Sequence, residues 1–225
     1  MPDTPHIVGD VMTAPAVAVG PDTRFKAIVR AMEERRVSAV PVVSGGGRVV
    51  GVVSEADLLP REEFRGREPS RFERIRRRSD LAKAAGTRAA ELMSTPAVTV
   101  HPDVTLAQAA RLMAVRHVKR LPVVDDEDRL RGVVSRGDLL KVFLRSDEDI
   151  EEEVRRTVVS YLFPAFAHAI HVSVRDGVVE LRGPVHDTSL IWVAERLVGA
   201  VEGVVGVESR LSGAEAGPGG TRTAR

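Results

Sequence analysis

Hydrophobic and polar positions along the first 60 residues follow two alternating patterns. Valine-rich runs at 39–43 and 48–53 predict short buried strands, because a strand covered on both faces is apolar throughout. Between 24 and 36 the apolar residues instead recur three or four positions apart, which predicts a helix with one buried face. A short strand at 17–19 precedes this helix, and a second helix is predicted to begin at Ser54. The predicted order is strand, helix, strand, strand, helix.

The same pattern occurs twice, at a constant offset of 81 residues. The sequence GVVSEADLL at 51–59 matches GVVSRGDLL at 132–140, and MTAPAV at 12–17 matches MSTPAV at 93–98. A gapless match over roughly fifty residues indicates one structural unit used twice. The second copy accordingly predicts strands at 98–100, 121–124 and 130–134, and a helix that follows Thr105.

From about residue 150 the pattern changes, which indicates a separate domain. Val154, Val158 and Leu162 share one helix face, and two alternating segments with a tight turn at 175–177 predict a β-hairpin. The predicted elements are a helix, strands at 171–174 and 178–181, a helix over 188–198 that contains Trp192 in the core, and a strand at 204–211. The tail at 213–225 is rich in glycine, alanine and threonine and is expected to be disordered.

A basic insert separates the two copies. Residues 61–88 hold ten Lys or Arg and five Asp or Glu, a local net charge of +5. This composition has two interpretations. The insert is either a solvated helix and linker, or a surface for an anionic partner, including an arm that reaches over a ligand.

Composition narrows the class of protein. The net charge is +1 and aromatic residues make up 4%, which argues against nucleic acid as a partner. The absence of cysteine removes disulfide and thiolate chemistry and fits a cytoplasmic location. The N-terminus has no signal-peptide pattern, and no apolar run is long enough to span a membrane. We find no nucleotide P-loop, no nucleophile motif and no metal-ligand pattern, so we expect neither an enzyme nor a metal site.

Two four-residue motifs, Ser54-Glu55-Ala56-Asp57 and Ser135-Arg136-Gly137-Asp138, lie where a strand turns into a helix. The spacing Ser-x-x-Asp resembles a capping box, in which serine and the acid each satisfy a backbone N–H of the first turn. The same geometry suits a ligand, because a helix N-terminus attracts phosphate and a carboxylate can accept hydrogen bonds from a ribose diol. Capping and ligand binding are compatible with each other.

The repeat resembles a tandem pair of CBS domains over about 7–144. The resemblance rests on the Met-Thr/Ser-x-x-Pro segment, the Pro-Val-Val strand and the Gly-Val-Val-Ser-x-x-Asp-Leu-Leu motif, all present in both copies. The region 150–212 resembles a BON domain through the sequence DGVVELRGPV at 176–185. The implied fold is α+β: CBS repeats at 7–60 and 89–145 packed as a pseudo-twofold module, the insert at 61–88, and a small α-β-β-α-β domain.

The CBS resemblance implies a cleft for an adenine nucleotide (AMP or ATP) or S-adenosylmethionine. It would place Asp57 and Asp138 on ribose and Ser54 and Ser135 near ribose or phosphate. Lys119 and Arg120 would contact phosphate beside the second motif, unless they are only exposed charges at a strand edge. Base contacts would come from residues 13–15 and 94–96, the lead-in segments that precede the first strand of each copy. The segment at 37–39 would border the cleft. These last candidates are Thr13, Ala14, Pro15, Val37, Ser38, Ala39, Ser94, Thr95 and Pro96.

The resemblance therefore implies a non-enzymatic regulatory protein that forms a homodimer through the CBS pair. The BON domain would serve as the output or interaction module, with phospholipid or a protein as its partner. Two alternatives stay open. One is an envelope-associated or phospholipid-associated structural protein that uses the BON domain and the insert, and the other is an anion or nucleic-acid binder that acts through 61–88.

Overall fold

The computed structural model describes residues 6–67 and 70–214, and the chain divides into two compact units. The first unit runs from His6 to Leu139 and the second begins at Leu140. The duplicated sequence up to the end of the second motif thus belongs to one unit. None of the helices in the described ranges is long and apolar enough to cross a membrane.

Copy 1 contains a helix, an antiparallel hairpin and a further short helix, in the predicted order. Its elements are α1 (Val8–Val11), α2 (Phe25–Arg35), β1 (Ala39–Val43), β2 (Val49–Ser54) and α3 (Glu55–Leu58). Helix α2 buries Ile28 and Met32 on the face that the sequence predicts. The predicted strand at 17–19 is shorter than expected, because it forms one parallel bridge, between Val19 and Val42.

The insert folds into short helices: α4 (Pro60–Glu63), α5 (Arg71–Arg76) and α6 (Arg78–Ala85). Exposed ion pairs hold them together. The guanidinium of Arg77 pairs with the carboxylates of Glu63 and Asp80, and that of Arg67 pairs with Glu73. No residue of α6, which is described throughout, is buried.

Copy 2 repeats the arrangement of copy 1 in detail. Its elements are α7 (Ala89–Leu92), α8 (Leu106–Val115), β3 (Arg120–Val124), β4 (Leu130–Ser135) and α9 (Arg136–Leu139). The hairpins share one register, since Pro41 faces Val52 and Pro122 faces Val133. In each hairpin the register is interrupted at the equivalent place, between Val42 and Val43 and between Val123 and Val124. The duplication therefore extends to the backbone irregularities.

The first helix of each copy, α1 or α7, bonds to the other copy, and we call these two helices the lead-in helices. The Val8 N–H donates to the Val104 carbonyl (2.8 Å), and the equivalent Ala89 N–H donates to the Thr23 carbonyl (2.9 Å). Ala89 and Leu92 are fully buried in the core of copy 1. That core otherwise contains Val19, Ile28, Met32, Val40, Val42 and Val53. The core of copy 1 is thus completed by the lead-in helix of copy 2, and α1 bonds to copy 2 at the equivalent position, where Val8 is fully buried.

Reciprocal hydrogen bonds relate the copies as a pseudo-twofold pair. The Val49 N–H donates to the Asp128 carbonyl and the Leu130 N–H donates to the Gly47 carbonyl, each at 3.0 Å. These two bonds interchange under the 81-residue offset. The predicted packing of the two repeats as a pseudo-twofold module is confirmed.

The second unit has a three-stranded sheet covered by helices, with strand order β5-β6-β7. Its elements are a 3₁₀ turn (Leu140–Leu144), α10 (Asp147–Val154), a π turn (Arg155–Val159), α11 (Ser160–Leu162), β5 (His171–Arg175), β6 (Val178–Val185), a 3₁₀ turn (Thr188–Leu190), α12 (Ile191–Val198) and β7 (Gly206–Gly213). Strand β6 pairs antiparallel with β5 and parallel with β7. The predicted α-β-β-α-β order is confirmed.

The hairpin of this unit has the predicted tight turn. Asp176 (φ 50°) and Gly177 (φ 75°) both adopt left-handed backbone conformations, as a two-residue hairpin turn of type I′ requires. Their N–H groups donate to the carboxylate of Asp147, at 2.8 and 2.9 Å. The acidic start of α10 therefore also fixes the turn.

Two details of this unit differ from the sequence prediction. The prediction that Trp192 lies in the core is wrong, because its side chain is 63% exposed and α12 buries Ala194 and Val198 instead. The predicted tail begins at Gly213, which is the last residue of β7, and the N–H of the following Ala214 still donates to the Val185 carbonyl (2.8 Å). Residues 215–225 lie outside the described part of the chain.

Candidate functional site

A cavity of about 330 Å³ in the first unit contains the first Ser-x-x-Asp motif. Both copies contribute to its walls. The lining residues are Ser38, Ala39, Val52, Ser54, Glu55, Ala56 and Asp57 from copy 1, and Ser94, Pro96, Ala97, Val98, His117, Val118, Lys119 and Arg120 from copy 2. The volume lies within the range of small-molecule sites.

Asp57 is positioned by the start of α3. Its Oδ2 accepts hydrogen bonds from the Ser54 N–H (2.7 Å) and the Ser54 hydroxyl (2.6 Å). The Glu55 N–H donates to the Ser38 carbonyl (3.0 Å), which links the start of α3 to the segment before β1. Asp57 is only 9% exposed, although it lines the cavity. The predicted capping geometry thus holds a carboxylate at the cavity wall.

The other oxygen of Asp57 meets residues from outside copy 1. Its Oδ1 accepts a hydrogen bond from the Ser94 hydroxyl (3.2 Å) and forms an ion pair with the ammonium of Lys83. The Lys83 ammonium also donates to the Ser94 hydroxyl, at 3.0 Å. Lys83 belongs to α6 of the insert, so the insert reaches the candidate site.

The second motif has equivalent internal hydrogen bonds. Oδ2 of Asp138 accepts from the Ser135 N–H (2.9 Å) and the Ser135 hydroxyl (2.6 Å). The Asp138 N–H donates to the Ser135 hydroxyl, at 3.3 Å. The Arg136 N–H donates to the Lys119 carbonyl (3.1 Å), as Glu55 does to Ser38. The second motif therefore has the same local geometry as the first.

Each lead-in segment pairs with the motif strand of the other copy. Ser94 and Val52 exchange two backbone hydrogen bonds, at 2.9 and 3.1 Å, and Thr13 and Val133 do the same at 2.9 and 3.0 Å. Pro96 therefore lies at the cavity that contains Asp57. The Ala14–Pro15 and Thr95–Pro96 peptide bonds, at equivalent positions of the two segments, are both cis.

The structure groups the two cations differently from the sequence analysis. The backbone of Lys119 and Arg120 lies beside the second motif, since Arg120 pairs with Ser135 and the Lys119 carbonyl accepts from the Arg136 N–H, but both residues also line the cavity that contains Asp57. The reason is that the copies face each other across this cavity, so the segment before β3 approaches the motif of copy 1. Arg120 also lines a neighbouring hollow of about 530 Å³ together with Val37 and Ser38.

The predicted residues divide into two groups. Eight line the cavity: Ser38, Ala39, Ser54, Asp57, Ser94, Pro96, Lys119 and Arg120. The other seven, all in described ranges, are not among its lining residues: Thr13, Ala14, Pro15, Val37, Thr95, Ser135 and Asp138. Thr13 nevertheless pairs with the strand that leads to the second motif.

Sequence reasoning missed His117, Lys83 and the apolar wall of the cavity. His117 lies next to the predicted cations and has a left-handed backbone, with φ 55°. Its equivalent in copy 1, Arg36, has φ 52°, and this shared irregularity was not visible in the sequence. The apolar wall consists of Val52, Ala56, Ala97, Val98 and Val118.

The cavity combines three kinds of surface. Asp57 offers a carboxylate that can accept hydrogen bonds from hydroxyl groups. Lys119 and Arg120 offer positive charge, which forms charge-assisted hydrogen bonds with anions. The small aliphatic side chains of the wall can cover a flat apolar group. Such a site suits a ligand that carries hydroxyl groups, negative charge and a ring.

Comparison with known proteins identifies both parts of the chain. Residues 8–61 and 89–145 match the family model of the CBS domain, and 146–214 match that of the BON domain. The CBS domain-containing protein YhcV of Bacillus subtilis is 31% identical over 132 residues, which cover 59% of this chain and 81% of YhcV. The chloroplastic CBS domain-containing protein CBSX2 of Arabidopsis thaliana is 28% identical over 161 residues, covering 65% of this chain and 67% of CBSX2.

A solved structure agrees with these matches. The crystal structure of CBSX2 in complex with AMP superimposes with a TM-score of 0.54 at 30% identity, and it covers 62% of this chain and 97% of that one. The duplicated sequence, the exchanged lead-in helices and the family models give one answer. The chain belongs to the CBS domain-containing proteins and carries a CBS pair followed by a BON domain.

Proposed function

We propose that this protein is a non-enzymatic regulatory protein whose CBS pair binds an adenine nucleotide or a related adenosyl ligand. The observation that carries this proposal is the buried carboxylate of Asp57 at a cavity that also presents Lys119 and Arg120. The complex of CBSX2 with AMP supports it, because that protein shares the fold of the CBS pair at 30% identity.

The cavity suggests one placement for the ligand. The ribose hydroxyls would donate to Asp57, and the phosphate would lie toward Lys119 and Arg120. The base would pack against the wall formed by Ala97, Val98 and Val118. AMP, ATP and S-adenosylmethionine all contain adenosine, so all three are candidates. The motif of Ser135 and Asp138 would form a second site of the same kind.

Ligand binding would regulate the protein by favouring one conformation of the CBS pair. A ligand shifts such an equilibrium only if it binds the two conformations with different affinities. We propose that the CBS pair forms a homodimer and that the BON domain passes the change to a protein or phospholipid partner. Val29, Leu58 and Leu59 around the neighbouring hollow provide apolar surface for self-association.

Isothermal titration calorimetry of the full chain with AMP, ATP and S-adenosylmethionine tests the proposal. We expect Asp57→Ala to weaken binding at the first site by about tenfold or more, since hydrogen bonds to a charged group contribute roughly 1.5–3 kcal/mol. Asp126→Ala, at a side chain that is 99% exposed, is the matched control and should bind as the wild type does. Equal binding by the wild type and Asp57→Ala would reject the site assignment.

One observation favours a second candidate function, association with an anionic membrane. Phe72 and Ile75 are 73% and 72% exposed on α5, between the basic residues Arg71 and Arg76. Basic residues near anionic headgroups contribute about 1 kcal/mol each. Sedimentation with phosphatidylserine vesicles at low and high salt tests this function, and Phe72→Ser should reduce pelleting. Absence of pelleting at either salt concentration would reject it.

A further inference from the structure

The insert places a single lysine on the carboxylate that the proposed function assigns to ribose. Lys83, near the C-terminal end of α6, pairs with Oδ1 of Asp57 and donates to the Ser94 hydroxyl. The side chains of Lys83 and Asp57 are only 19% and 11% exposed. The contact is therefore largely shielded from water, unlike the other ion pairs of the insert.

Hydrogen bonds already occupy both oxygens of Asp57. Oδ2 accepts from the Ser54 N–H and hydroxyl, and Oδ1 accepts from Lys83 and Ser94. An ionised carboxylate has about four lone-pair sites for hydrogen bonds. Four donors thus fill its capacity, and a ribose diol can bind only if it displaces some of them.

The donors differ in how easily they can leave. The Ser54 N–H is fixed, because it belongs to the backbone at the start of α3. Lys83 sits on a helix with no buried residue, and Arg77 at the start of this helix pairs with Glu63 of α4. A lysine side chain is also a flexible chain of four carbons, so its ammonium can move without a change in backbone conformation. Lys83 can therefore leave Oδ1 by a side-chain movement, which the Ser54 N–H cannot do.

We propose that Lys83 is an intramolecular competitor of the adenosyl ligand, so that the insert sets the affinity of the Asp57 site. A ribose hydroxyl and the Lys83 ammonium compete for Oδ1, because Lys83 and Ser94 already fill the two acceptor sites of this oxygen. This inference rests on the proposed function. Ligand binding then releases α6 from the cavity, which makes the insert a reporter of site occupancy.

The charge of Lys83 makes adenosine the sharper probe. Removal of the ammonium relieves competition for every adenosyl ligand, but it also removes a positive charge from the neighbourhood of a phosphate. Adenosine carries no phosphate, so its affinity should change only through the relief of competition for Asp57. Affinities for adenosine and AMP, measured together, therefore separate competition from phosphate attraction.

The test compares Lys83→Met with the wild type in calorimetric titrations of adenosine and AMP. Lys26→Met, which removes a lysine from the exposed face of α2, is the control. We expect Lys83→Met to bind adenosine at least about threefold more tightly, with a smaller gain for AMP, and Lys26→Met to match the wild type. In the wild type, saturating AMP should increase amide hydrogen exchange across Arg78–Ala85.

The outcomes separate this inference from the proposed function. If AMP binds the wild type and Asp57→Asn abolishes that binding, but Lys83→Met binds adenosine equally or more weakly, Lys83 does not compete and the inference is overturned. If neither the wild type nor Lys83→Met binds adenosine or AMP, the proposed function fails and the inference fails with it. A circular dichroism melt of Lys83→Met confirms that the variant is folded.

Discussion

The two Ser-x-x-Asp motifs share one local geometry but have different surroundings. The Ser N–H to Asp Oδ2 distances are 2.7 and 2.9 Å, and the hydroxyl distances are both 2.6 Å. Asp57, however, also meets Lys83, from an insert that begins directly after copy 1. After copy 2 the chain continues into a separate unit instead. Duplication has preserved the backbone of the motifs, and the segments that follow the two copies differ.

Because the two copies share one backbone geometry, the largest expected effect, a loss of stability, should occur at equivalent positions of both copies. A Cβ at Gly51 would overlap the side chain of Met93, and one at Gly132 would lie 2.8 Å from Sδ of Met12. We expect Gly51→Leu and Gly132→Leu each to lower the free energy of unfolding by about 3 kcal/mol, because neither site has room for a side chain. Urea denaturation of both variants measures the effect.

The control for this pair is Gly45→Leu. No heavy atom lies within 4 Å of a Cβ at this position, so the free energy of unfolding should change little. If only one of the two glycine variants is destabilised, the two copies share a backbone geometry but do not contribute equally to the free energy of unfolding.

A smaller effect should distinguish phosphate from the rest of the ligand. Lys119→Ala and Arg120→Ala each remove a cation from the Asp57 cavity. We expect affinity for AMP to fall by about fivefold to tenfold and affinity for adenosine to stay constant, because only AMP carries negative charge. Equal losses for both ligands would show that these side chains support the fold of the cavity rather than bind phosphate.

The smallest effect concerns acid pH and is confined to the insert. A hydrogen bond from Arg67, aided by Ser70, lowers the pKa of Glu73 to about 2. Because the pKa of Glu73 is lower in the folded chain than its ordinary value of 4.5, the ionised carboxylate stabilises the folded insert above about pH 4.5. This stabilisation is lost as the pH falls toward 2. We expect α5 to loosen over this range, and NMR amide signals of Arg71–Arg76 measure it.

Glu73→Gln sharpens this prediction. The variant lacks the titrating carboxylate, so the pH dependence of the α5 signals should largely disappear, while Glu33→Gln on α2 should retain it. A wild-type insert whose signals do not change between about pH 5 and about pH 2 would contradict the role of the Arg67–Glu73 pair.

The sequence was sufficient for the fold where its signals are local or repeated. Valine runs marked the hairpins, the constant offset marked the duplication, and Asp176-Gly177 marked the tight turn of the second unit. Each signal depends on neighbouring residues or on a copy of itself. The same reasoning gave the capping geometry of Asp57 and Asp138, because serine and the acid lie three residues apart.

The candidate site was only half predictable, because its grouping depends on contacts between distant residues. Nothing local shows that Ala89 bonds to Thr23, so the approach of Lys119 to the motif of copy 1 could not be read from the pattern. Lys83 lies in a segment without hydrophobic periodicity. Its position on Asp57 follows from the path of α6, which the sequence does not specify.

The exchange of lead-in helices has a consequence for the origin of this chain. Because Leu92 of copy 2 is fully buried among residues of copy 1, copy 1 expressed alone would leave a gap in its own interior. A single repeat could fill that gap by exchanging its first helix with a second copy of itself. The fused gene product is, in this sense, a domain-swapped pair whose two members have become covalently joined.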